Sequence, residues 1–188
     1  MQRTDEETAS LDAAASAGDG RQAAAGGLDA AGAGTVGLGV DIVEVARMKQ
    51  ILKRSPGFAK RVFSEDECAY CDSTANPATH YALRFAAKEA VVKALGTGFS
   101  QGIGVRDIEV RRLPSGRPAV RLSGKAREVA DRLGVREMPL SLSYTHSDAV
   151  ACAMAITRTS DEAAAARKDP MEELTRQFKE TRGMLDDL

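Results

Sequence analysis

Nothing in this chain approaches the roughly 18 consecutive apolar residues of a membrane-spanning helix. The N-terminal stretch MQRTDEETASLDAAAS is acidic where a secretory signal would be basic and then apolar, so the expectation is a cytoplasmic protein. Cysteine and histidine are scarce, at three and two residues. Cys68 and Cys71 form a lone C-x-x-C, "CAYC", which offers a redox pair or half a zinc site. A zinc site takes four ligands, and only Cys152 and the two histidines remain to complete one. A redox motif usually opens a helix after a buried strand, whereas this one follows the polar run SEDE, so neither reading is carried forward. Acids are missing from one stretch altogether: between Arg47 and Arg61 the bases Arg47, Lys49, Lys53, Arg54, Lys60 and Arg61 meet no Asp or Glu.

What is present is 188 residues with 43% hydrophobic composition, enough to bury the core of one domain of ordinary size. The formal net charge of −1 hides an uneven distribution. Residues 1–35 hold six acids and two bases, and 158–188 hold eight acids and six bases, which leaves 36–157 at +5. A surface of that sign suits an acidic protein, a phosphate-rich ligand or nucleic acid, or is simply a solvated basic face.

Residues 1–34 are Ala, Gly and acids in no period, which predicts a disordered leader. The folded domain is expected over 35–157. "TVGLGVDIV" alternates, with Val36, Leu38 and Val40 on one face and Gly37, Gly39 and Asp41 on the other, the glycines leaving backbone open beside Asp41. Helical spacing runs from Ile42 to about Arg54 and is broken by "SPG". A second helix follows SEDE, with Ser64 and Glu67 as a capping box. The central helix starts just after Pro77 and ends at Gly96, and its Ala and Val content fits burial on most sides. Two short strands, "VRDIEVRRL" and "RPAVRL", join through the turn "PSG"; the helix "GKAREVADRLG" and the strands "MPLSLSYT" and "AVACAMAI" complete the domain. Strands and helices segregate in runs, which predicts an α+β fold, an antiparallel sheet packed around the central helix. Residues 158–188 read as a linker and an amphipathic helix begun by Asp169 and Pro170, with Met171, Leu174, Phe178 and Leu185 roughly on one side.

Two carboxylates carry the chemistry. Asp41, with Glu44 three residues on, fits a helix cap, and Glu89 with Lys93 fits an ordinary i,i+4 pair. Together, an Asp beside a glycine-lined strand and a Glu among Phe85, Ala86 and Val92 make a pair of hard oxygen ligands suited to Mg²⁺, which commonly takes one or two protein carboxylates beside water and phosphate. Lys93 then serves as a point charge on phosphate or as a proton acceptor. "GTG" at 96–98 is too weak to be a phosphate loop and lies at a helix C-terminus, where the dipole repels anions.

"GLGVDIVEVARM", "FAKRVFSEDE", "RFAAKEAVVKALGTG", "DIEVRRLPSGRPAVRLSGKA" and "LSLSYTHSDAVACAMAI" resemble, in order and spacing, the holo-acyl-carrier-protein synthases, small 4′-phosphopantetheinyl transferases, over about 36–157. The resemblance implies transfer of 4′-phosphopantetheine from coenzyme A to a serine of apo-acyl carrier protein, releasing adenosine 3′,5′-bisphosphate. It implies Asp41 and Glu89 as ligands of Mg²⁺ and Lys93 as the active-site lysine. It places Arg84, Lys88, Gly96, Thr97, Gly98, Pro118, Tyr144 and Thr145 at or around the coenzyme A pocket, and Arg47 on the helix that receives the acidic carrier protein. It also implies a homotrimer with sites between subunits, and neither a nucleic-acid nor a membrane partner. Tyr144 stands where many relatives have His; Tyr donates to phosphate but is no base near neutral pH. His146 follows two residues later, on the same face if the strand stays regular, or already in a turn. The alternatives are a metal-dependent phosphodiesterase using the same carboxylates and a non-catalytic domain that binds an acidic protein.

Overall fold

The computed structural model describes residues 36–100 and 102–159. The leader 1–34 and the C-terminal helix read from the sequence therefore lie outside the described residues. Helix α4 (Pro77–Ala94) is the axis of the fold, with Pro77 in its first turn and an almost continuous buried run from Tyr81 to Ala94. Small side chains on that run let neighbouring backbone approach closely, which is the physical sense of its alanines. It ends where Gly96 takes φ 74°. Thr97 N–H donates to Val92 O and Gly96 N–H to Lys93 O, a Schellman closure that glycine enters without a Cβ penalty.

Strand β1 (Gly37–Glu44) pairs antiparallel with β6 (Asp148–Thr157), Gly37 opposite Ala155 and Glu44 opposite Asp148. On its other edge β6 pairs with β4 (Val135–Glu137) and β5 (Leu140–Tyr144), giving four strands in all. The inner face lies on α4: Ala151, Ala153 and Ala155 are buried with Ala87, Ala90 and Val91. β2 (Ile108–Arg112) and β3 (Pro118–Leu122) form a separate hairpin, and α5 (Gly124–Arg132) closes this end of the core through Ala126, Val129 and Ala130. The α+β class and antiparallel pairing agree with expectation. A second sheet, the three-residue β4 and a short helix α2 (Phe58–Val62) are additions. α3 (Glu65–Asp72) opens with the expected capping box, Ser64 N–H donating to Glu67 and Glu67 N–H to Ser64 Oγ.

Three expectations change around β1. The strand continues through Ile42 to Glu44, and helix α1 runs Val45–Arg54. Asp41 therefore sits within a strand, opposite Ala151, and caps nothing. The glycine face is covered rather than open: a Cβ on Gly39 would lie 1.9 Å from Ala90 O, so glycine is what lets α4 rest on the strand. The apolar face points outward instead, with Val36, Leu38, Val40, Ile42 and, from β6, Met154 all exposed.

Candidate active site

The close approach at Gly39 brings the strand carrying Asp41 against the last turns of α4, which carry Glu89 and Lys93. Lys93 Nζ lies 2.8 Å from Asp41 Oδ1 and donates also to Val40 O at 3.1 Å. Burial raises the Asp41 carboxyl above its usual range, against the pull of Lys93. Glu89 is pushed up to about 7, first by burial and then by the Asp41 charge, with Lys93 opposing. Two half-buried carboxylates thus face one lysine, more negative charge than the protein balances. A hard divalent cation with water and phosphate as its other ligands fits that donor set. β1 is an edge strand, so the site opens at the side of the sheet.

Lys88, one residue before Glu89, does something different. It is 0% exposed; its Nζ is 2.9 Å from Glu67 Oε2 and donates to Val105 O (3.3 Å) and Ile108 O. Glu67 Oε1 in turn accepts from Val110 N–H at 3.0 Å. All three ammonium donors are used inside the protein, so the expected contact of Lys88 with coenzyme is corrected to a strut joining α3, α4 and β2. Sequence spacing could not reveal it, since the partners lie 21 residues apart. The Gly96–Gly98 turn is likewise occupied: the N–H groups of Gly96, Thr97 and Gly98 all close the helix end. The turn shapes its surroundings without offering amides to phosphate.

Arg84 and Tyr144 form a second cluster. The Arg84 guanidinium stacks on Tyr70 at 4.1 Å, and its buried Nε has no hydrogen-bond partner among the described residues. The His80 ring lies 5.5 Å from Tyr70 and 6.3 Å from Tyr144. Burial lowers the His80 pKa, and the charges of Arg84 and Arg112 lower it further. Pro118 is register partner to Arg112, which puts the hairpin at this same end. Tyr70 and His80 were not singled out in the sequence; only their aromatic contacts reveal them. Tyr144 ends β5 at 58% exposure. Thr145 and His146 lie in the turn beyond, where Thr145 Oγ1 accepts from Ser147 and Asp148 N–H, so His146 does not continue the strand. At 100° per residue Arg84 lies about 140° and His80 about 180° around α4 from Glu89. One chain therefore does not gather the expected site residues into a single group: Asp41, Glu89 and Lys93 form one, Arg84, Pro118 and Tyr144 another. Arg47 is half-buried on α1. The CAYC thiols are accounted for by packing, as burial pushes Cys71 up to about 12.

The sequence model of the 4′-phosphopantetheinyl transferase superfamily matches residues 37–155. The chain belongs to that superfamily. A holo-[acyl-carrier-protein] synthase of Syntrophus aciditrophicus is 47% identical over 114 residues, 60% of this chain and 89% of the relative. Among solved structures, the holo-[acyl-carrier-protein] synthase of Neisseria meningitidis aligns with TM-score 0.59 and 30% identity, covering 64% of this chain and 98% of the other. The Helicobacter pylori synthase, solved in complex with coenzyme A, aligns with TM-score 0.57 and 29% identity over 63% and 99%. In this phosphopantetheinyl transferase superfamily chain, both clusters and the basic helices lie within the matched span.

Proposed function

We propose that this chain transfers 4′-phosphopantetheine from coenzyme A to a serine of apo-acyl carrier protein, with Mg²⁺ held by Asp41 and Glu89. The observation that carries the proposal is the undercompensated carboxylate pair beside Lys93, in a chain so similar to holo-[acyl-carrier-protein] synthases. When bound, the ion supplies charge neutralisation at the pyrophosphate. The rest falls to side chains. Asp41 is fixed by its strand and Glu89 by a half-buried helix face, so both oxygen ligands are pre-positioned. Lys93 spends one donor on Asp41 and one on Val40 O, which leaves a third N–H for a phosphate oxygen. The serine oxygen bonds to the β-phosphorus and gives its proton to water as the bond from that phosphorus to adenosine 3′,5′-bisphosphate breaks and the bisphosphate leaves, in a reaction governed by positioning and charge. Arg84, Pro118 and Tyr144 suit the nucleotide end of coenzyme A, as guanidinium, wall and exposed ring. Arg47 and its basic neighbours suit the acidic carrier protein.

A homotrimer is part of the proposal. Two observations support it: an exposed apolar strip, Leu38, Val40, Ile42 and Met154, runs along the outer sheet face, and the two residue clusters lie on different sides of α4. Packing the outer faces of copies together would bury the strip and set one chain's carboxylates beside another's Arg84 and Tyr144. Among the described residues no helix is long and apolar enough to cross a membrane, and soluble substrates suit work in the cytoplasm. The test is incubation with apo-acyl carrier protein, coenzyme A and Mg²⁺, read by intact mass. Gain of one phosphopantetheine per carrier is expected; an unchanged carrier mass overturns the reading. Hydrolysis of coenzyme A without carrier would favour a phosphodiesterase, and carrier binding indifferent to Mg²⁺ an interaction domain.

A further inference from the structure

Helices α1 and α2 expose Lys49, Lys53, Arg54, Lys60 and Arg61, and none of the five forms an ion pair among the described residues. Val45 to Arg61 contains no acid. A face of one sign at this density repels itself and attracts an acidic occupant. We propose that residues 169–188 of this same chain, which lie outside the matched family span, occupy that face and compete there with the carrier protein.

Charge complementarity comes first. Residues 169–188 hold six acids and three bases. Read at the helical period that its sequence suggests, Asp169, Glu173, Glu180 and Asp187 fall within about 40° of one another with Arg176 beside them, and Met171, Leu174, Phe178 and Leu185 fall opposite. A segment of net charge −3 therefore complements an acid-free basic surface, and attraction between charges selects the contact. Reach comes second. β6 ends at Thr157 beside the start of β1, and α1 begins at the far end of β1, a separation of about 23 Å along seven strand steps. Residues 160–168 are nine in number and extend to about 30 Å, enough to return the tail to α1. The leader starts from the same end and also carries six acids, but they are scattered over 35 residues with no periodic stripe, so the tail is the better match.

The kinetic part of the test rests on the transferase reading; the structural part does not. The full chain is treated with a zero-length carbodiimide at low salt and its peptides are identified by mass spectrometry. Links are expected between Lys49, Lys53 or Lys60 and Asp169, Glu173, Glu180 or Asp187 within one chain, and they should fade at high salt. Links to Asp5–Asp29 instead, or found only between chains, overturn the proposal. In parallel, the full-chain variant D169N/E173Q/E180Q/D187N should show a KM for apo-carrier protein about 3- to 10-fold below wild type at low salt. The two values should converge at high salt, with the KM for coenzyme A unmoved. Equal carrier KM values at low salt also overturn it. Absence of transfer by the wild type would fail the transferase reading and leave the cross-links to decide the docking.

Discussion

Two acid–lysine pairs end on neighbouring turns of α4, and they differ in almost everything except composition. Lys88 and Glu67 are each about 1% exposed in their side chains, and every strong donor and acceptor between them has a partner: two backbone carbonyls, the Val110 amide and the Ser64 cap. Lys93 and Asp41 are 41% and 17% exposed, and share their surroundings with Glu89, a second carboxylate with no cation of its own among the described residues. Burial with complete pairing makes a fixed joint. Partial burial with an excess of one charge suits a place for the opposite charge that is missing. The teaching is that a buried ion pair alone is no sign of function; the unbalanced one is.

The comparison breaks most visibly at Lys88. Lys88→Met leaves Glu67 buried without its cation, and a loss of about 3–5 kcal/mol in unfolding free energy is expected. Urea melts measure it, and a loss below about 1 kcal/mol would mean that the pair is not the joint described. At the other pair the effect moves from stability to turnover. Asp41→Asn and Glu89→Gln should each lower transfer by about 10²–10³-fold, equivalent to about 3–4 kcal/mol, while the fold persists. Near-normal turnover at saturating Mg²⁺ in either variant would remove the paired ligands.

A smaller effect has the opposite sign. Without metal, the Glu89 carboxyl titrates near 7, above its unfolded value of about 4.5. A carboxyl raised by folding contributes stability that is complete below the unfolded pKa and is lost as pH rises through the folded one. Glu89→Gln, measured in chelator, should therefore stabilise the protein by about 2 kcal/mol at pH 8 after allowance for solvent screening, and flatten the decline in stability between about pH 4.5 and 7. Parallel pH profiles for both proteins would contradict this. Smallest of all, Lys93→Met should change unfolding free energy by about 1 kcal/mol or less, since half-exposed pairs contribute little. An effect matching that of Lys88→Met would erase the distinction between the two pairs.

Much of this was readable in the chain, for identifiable reasons. The capping box at Ser64 and Glu67, the Pro77 start and Gly96 end of α4, and the hairpin around Gly116 all depend on residues within a few positions of one another. The motif blocks singled out Asp41, Glu89 and Lys93, which the structure brings together at the seam of β1 and α4. What escaped depends on distant partners. Ile42 satisfies strand and helix periods alike, and pairing with Val150 on β6 decides for the strand. Lys88 reads as a site lysine until Glu67 and the Val105 and Ile108 carbonyls close around it. α2 and β4, at five and three residues, are too short to show a period. Which face of β1 is buried also went unread, because glycine and alanine fill the seam where large side chains ordinarily mark an interior.

That seam ties the proposed site to a residue with no side chain. Since Gly39 permits the distance between strand and helix, it also sets the spacing of Asp41 from Glu89 and Lys93, which ride on opposite sides of the contact. One methyl group there would act as a wedge. Its price would register as mis-spaced carboxylates as well as strain, so a substitution scan read only by activity would score an inert glycine beside the carboxylates themselves.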